Sequence, residues 1–216
     1  SDAQGLTHGH AALAVNQVQD GGFSSLSLYS NGLVSFGGDL NLATAQELRI
    51  YAGALTVAAG MDPIHSVSLS APYVLLAGIT DNGASGEGYL RPSYQGGVST
   101  LSSSAVLSAQ GKLVDIKGVV TFGANDAVGA TSVDRAGFDR VNLISEGDLR
   151  FVEGTRMLSD GSYGAELNTT GDLTLRAAQV YPATGVSARV LAGRASATAF
   201  KPDRRLVIER YDTSAA

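Results

Sequence analysis

The sequence predicts an all-β chain, a right-handed parallel β-helix (β-solenoid) with loop insertions, and three observations carry that expectation. Glycine occupies 27 of 216 positions while Pro numbers only 5, against an ordinary glycine share of about 7%. A five-residue unit recurs: glycine, any residue, an aliphatic, a mostly polar residue, then an apolar residue. Hydrophobic content is 44%, yet aromatics make up only 6% and Trp is absent, which suits a narrow interior filled by medium-sized aliphatic side chains.

Six copies of the unit read directly: Gly32 to Phe36, Gly38 to Leu42, Gly53 to Val57, Gly118 to Phe122, Gly147 to Phe151 and Gly171 to Leu175. A seventh, Gly111 to Ile116, is shifted by one residue. Each opens with a residue able to adopt positive φ at a corner. Each then alternates inward apolar with outward polar side chains, the period of a half-buried strand. The same alternation marks Phe23 to Leu28, Val67 to Leu69 and Val141 to Leu143. Strands of three to five residues bury too little to stand alone, so the units must stack. Longer echoes agree: Leu69 to Gly78 is matched by Leu175 to Pro182 and then by Val186 to Gly193.

A sandwich or antiparallel barrel also uses short strands, and turn chemistry separates the cases. Asn31-Gly32 suits a tight hairpin, as does Asp20-Gly21-Gly22, but most corners are a single glycine followed by a polar residue. Successive strands within Leu33 to Leu42 are separated by only a residue or two, which favours successive faces of one coil. Ala43 to Ile50 is the one stretch with a helical turn as an alternative to strand or bend.

The chain reads as a single β-solenoid segment, 1–216, of a larger protein, since it opens Ser1-Asp2-Ala3 without Met. Segments 80–98, 124–137 and 153–164 are Gly- and Ser-rich with little apolar content and are expected to be insertion loops, where recognition concentrates. Residues 201–216 form a terminal cap or a junction to a next coil, with one strand at Leu206 to Ile208.

The net charge is -5 with no basic run, so neither nucleic acid nor an anionic membrane surface is an expected partner. The absence of Cys excludes disulfides, thiolate catalysis and Cys-based zinc sites, and suits a protein that crosses a membrane unfolded. No apolar run approaches the roughly 20 residues of a membrane span.

The quoted segments, above all Gly21 to Leu28, Leu69 to Gly78 and Gly171 to Pro182, resemble the β-helical passenger regions of filamentous haemagglutinin-like exoproteins from Gram-negative bacteria, secreted by the two-partner route. The resemblance runs from about Ala11 to Gly193 and encodes coil geometry more than chemistry. It implies a long rod secreted to the bacterial cell surface that mediates adhesion, biofilm contact or toxin delivery. It also implies an outer-membrane two-partner transporter, engaged through a region outside this segment, and a host-cell, matrix or glycan ligand. The Asn-Pro-Asn motif of the family's secretion domain is missing, which places the segment in the shaft.

No catalytic, cofactor or metal site is expected, and each candidate meets an ordinary explanation. On a strand His8 and His10 would fall on one face, but the only other His is His65, too few ligands for zinc. Asp81-Asn82-Gly83 with Glu87 lacks the spacing of a calcium loop. Gly123 to Asp126 and Ser159 to Ser162 are turn sequences. Asp134, Arg135, Asp139 and Arg140 form the one charged cluster to weigh for the rival expectation, a polysaccharide-cleaving or glycan-binding β-helix. Cleavage needs paired carboxylates across a groove with aromatic platforms, so local ion pairing is the simpler reading. Ser99 to Ser104 is Ser-rich, but no Gly-x-Ser-x-Gly elbow is present.

Overall fold

The computed structural model describes residues 13–30, 32–58, 66–78, 99, 101–128, 131–152, 156–157, 163–195 and 199–212. One short helix, α1 (Val15–Asp20), precedes the strands. The chain then passes repeatedly through three sheets, A, B and C, in that order. The first circuit is β1 (Ser25–Tyr29), β2 (Leu33–Phe36) and β3 (Leu40–Ala43). The second is β4 (Glu47–Tyr51), β5 (Ala54–Val57) and β6 (Ser66–Ser70). The third has β7 (Tyr73–Ala77) in sheet A and β8 (Val106–Gly111) in sheet C. The fourth is β9 (Leu113–Lys117), β10 (Val119–Phe122), a hairpin of β11 (Ala124–Val128) and β12 (Thr131–Arg135), then β13 (Arg140–Ser145). The fifth is β14 (Asp148–Val152), β15 (Arg156–Met157), β16 (Tyr163–Thr169) and β17 (Asp172–Ala177). The sixth is β18 (Gln179–Pro182), β19 (Ser187–Leu191) and β20 (Leu206–Arg210).

Sheet A has the order β1-β4-β7-β9-β14-β18 and sheet C the order β20-β17-β13-β8-β6-β3, every pairing parallel. Sheet B joins β2, β5, β10, β16 and β19 in parallel, with β15 antiparallel to β16. The protein is therefore all-β with three parallel sheets, an architecture consistent with a parallel β-helix and not with an antiparallel sandwich.

Register explains why the glycine units recur. In sheet A, Leu26, Leu48, Val74, Val114, Leu149 and Val180 stand in one row, and Leu28, Ile50, Leu76, Ile116, Phe151 and Pro182 in the next inward row. Sheet C repeats this with Leu40, Val67, Leu107, Val141, Leu173 and Leu206, then Leu42, Leu69, Ala109, Leu143, Leu175 and Ile208. Like side chains stack on like at the strand spacing of about 4.8 Å, and nearly all of them share one buried cluster. The inward positions of the six direct units coincide with this core; in the shifted unit Val114 and Ile116 point inward. The interior is not purely aliphatic, because Phe138 packs edge-on against Phe36 and Phe122 at 6.1 and 6.2 Å between centroids.

The glycines do their work differently from the expectation. Of the seven that open units, only Gly118 has positive φ, 64°. At Gly111, Gly147 and Gly171 the constraint is a neighbouring circuit's main chain: an added Cβ would stand 2.7 Å from the Ala71 carbonyl oxygen, 2.8 Å from that of Lys112, and against those of Phe138 and Asp139, respectively. Stacked corners simply leave no room. Replacing Gly171 by Ala is expected to cost roughly 1–3 kcal/mol by overpacking, measurable as a lowered urea midpoint at unchanged m-value.

Two other readings need correction. The match of Leu69 to Gly78 with Leu175 to Pro182 is structural, since β6-β7 and β17-β18 both turn from sheet C into sheet A; the third echo, Val186 to Gly193, instead holds β19 in sheet B. The expectation named no helix at Val15–Asp20, yet α1 forms there, with the Ala14 amide donating to Gln17 Oε1 (3.0 Å) and Val18 buried in the core. A six-residue element carries too short a period to read from sequence. Ala43 to Ile50 takes the strand alternative, as the end of β3 and most of β4.

Candidate functional site

The connections between strands are unevenly distributed. Every C-to-A corner is short: residues 44–46, 71–72, 112, 146–147 and 178. The long connections all lie on the path from a sheet A strand to the next sheet C strand: 58–65 and 192–205 between B and C strands, 123–139 with its hairpin, 153–162 with β15, and 78–105 directly from A to C. In the last case the third circuit places no described strand in sheet B, and β10 of the fourth circuit instead pairs directly with β5 of the second, Phe122 opposite Leu55. Gly123 N donates to the Leu55 carbonyl (2.8 Å), closing the gap. A Cβ on Gly78 would collide with the Val119 carbonyl, so glycine is required where the third circuit leaves sheet A.

Of the expected insertions, 124–137 begins as an antiparallel hairpin with Asn125 opposite Asp134, and 153–164 holds β15 and the first residues of β16. Segment 80–98 lies outside the described residues. So do His8, His10, His65, Asp81, Asn82, Gly83, Glu87 and Ser159 to Ser162.

Within the charged cluster at Asp134 to Arg140, the side chain of Asp134 lies outside the described residues, and Asp139 and Arg140 do not pair with each other. Asp139 is held by Arg204 Nη1 at 2.6 Å, drawing residues before β20 onto the start of β13, and this carboxylate raises the Arg204 guanidinium pKa. Arg140 is exposed at the first rung of β13, in register with Asp172. The Ser-rich run secures the chain as it enters sheet C. Ser99 is fully buried and its Oγ accepts from the Leu101 amide (3.0 Å), while Ser103 Oγ donates to the Gly137 carbonyl (2.8 Å) and accepts from the Ala105 amide (3.1 Å).

The charged and aromatic groups that do converge lie on the outer face of sheet A. Ser27, Arg49, Leu75, Asp115, Arg150 and Tyr181 form one outward row. Asp115 is only 3% exposed. Its two oxygens accept from Arg150 Nε and Nη2, both at 2.8 Å, and Oδ2 also accepts from the Tyr73 hydroxyl at 3.0 Å. Such a forked pair is the strong form of an ion pair. Beside it the Arg49 guanidinium lies 5.6 Å from the Tyr73 ring centroid and binds Glu47 at 2.8 Å. Tyr181 OH donates to Asp148 at 2.9 Å, and Tyr29 stacks on Tyr51 at 4.4 Å. Tyr51, Leu75 and Ala77 form a buried cluster on this same outer face.

Burial, then the adjacent Asp115 carboxylate, push the Tyr73 pKa up to about 12. Because the folded pKa lies above the ordinary tyrosine value of 10.0, this contribution to stability is fully present below about pH 10 and is lost as pH rises towards 12. The expected result is a melting temperature that falls over that interval, less steeply in Tyr73→Phe, with the Tyr73 phenolate appearing late in an absorbance titration.

A second buried polar group sits on the outer face of sheet B. Glu166 and Asn168 alternate with the core residues Ala165 and Leu167 yet are 8% and 1% exposed. Arg194 Nη1 donates to Asn168 Oδ1 (2.6 Å) and Glu166 Oε1 (3.2 Å), and Arg189 lies 3.5 Å from Glu166 Oε2. The arginines thereby tie β19 and the residues after it to β16.

Sequence reasoning missed both groups. A signal was present for the first: aligning the Gly111 and Gly147 units on their inward residues puts Asp115 and Arg150 at the same outward position. In these two networks each carboxylate has a cation or phenol as partner, which is chemistry for holding strands in register.

Comparisons of the chain with family models, with curated proteins and with solved structures return no match in any of the three. No helix of the described residues is long and apolar enough to cross a membrane.

Proposed function

We propose that this chain is a right-handed parallel β-helical segment from the shaft of a large, secreted bacterial surface exoprotein of the filamentous haemagglutinin-like kind. The segment presents its long connections for adhesion or cell contact. The observation that carries this reading is their one-sidedness: C-to-A corners stay at one to three residues, while every long connection lies on the path from a sheet A strand to the next sheet C strand. Selection for length on one side only is what a rod gains by facing a partner there. The cyclic A, B, C order supports the coil, and the strong preference for right-handed parallel crossovers sets its hand. An outer-membrane two-partner transporter, acting on a region outside this segment, and a host-cell, matrix or glycan ligand belong to the same proposal.

The test is binding of the isolated chain to host cells, matrix proteins and glycan arrays, alongside a variant in which residues 80–98 are replaced by a short turn. Binding lost in the folded variant supports the reading. No binding by either protein, or equal binding by both, removes the recognition role from that connection, and repeating the replacement at 124–135 decides between another connection and a passive spacer.

The rival reading, a glycan-cleaving β-helix, would draw on the Asp134 to Arg140 cluster or on the carboxylates and tyrosines of sheet A. Their mutual pairing favours the structural role, and unsaturated or reducing ends released from acidic glycans, lost in Asp139→Asn or Asp115→Asn, would reverse that preference.

A further inference from the structure

We draw no further inference here: the strongest candidate, the β11–β12 hairpin whose base closes between Gly123 and Gly137 and whose outer strand edges pair with no other strand among the described residues, carries nothing because nothing in the structure shows what covers those edges.

Discussion

Replacing Leu149 or Leu173 by Asp should lower stability by about 3–5 kcal/mol, because each substitution buries a carboxylate with no partner. Both leucines are at 0% exposure in the main core cluster, in the middle of inward rows whose neighbours are Val114 and Val180 for Leu149, and Val141 and Leu206 for Leu173. Stacking sharpens the effect, since a charge in one circuit faces aliphatic groups from the circuits on either side. Chemical denaturation followed by circular dichroism measures it. Leu173→Ala should cost less, about 2–4 kcal/mol, the share due to lost burial and cavity alone. Unaltered denaturation midpoints in the Asp variants would mean that these side chains do not face the interior.

Arg150→Met should cost about 2–4 kcal/mol, a loss out of proportion to an arginine that is one-third exposed. The penalty falls on Asp115, which keeps its place at 3% exposure but retains only the Tyr73 hydroxyl among the side-chain partners described above; breaking a buried pair from one side leaves the other charge stranded. Asp115→Leu combined with Arg150→Met should recover most of the loss, because two well-packed apolar groups replace a desolvated pair. A double-mutant cycle separates the pair from the packing of either side chain. Additive losses would show that Asp115 and Arg150 act independently.

Much of the architecture is legible in sequence, for a local reason. Each unit from Gly32 to Leu175 specifies a corner and a strand within five residues, and period-two alternation states which side chains face inward without reference to the rest of the chain. Stacking follows, because no unit buries enough by itself. The glycines show where this local reasoning stops: Gly118 needs positive φ, whereas Gly171 is small because the carbonyls of Phe138 and Asp139 lie where its Cβ would be. That requirement comes from chain more than thirty positions away.

The sequence by itself therefore determined the strand content, the inward rows and the succession of short parallel strands. Only the tertiary structure decided which circuits adjoin. Successive circuits vary from 22 residues, Ser25 to Glu47, to 40, Tyr73 to Leu113, so lateral register cannot be counted along the chain. Hence the pairing of β10 with β5 across the third circuit, the Asp115–Arg150 fork and the Glu166–Arg194 tie emerged only with the sheets assembled. Hydrophobic alternation is a property of neighbours in sequence, while ion pairs and strand edges are properties of neighbours in space.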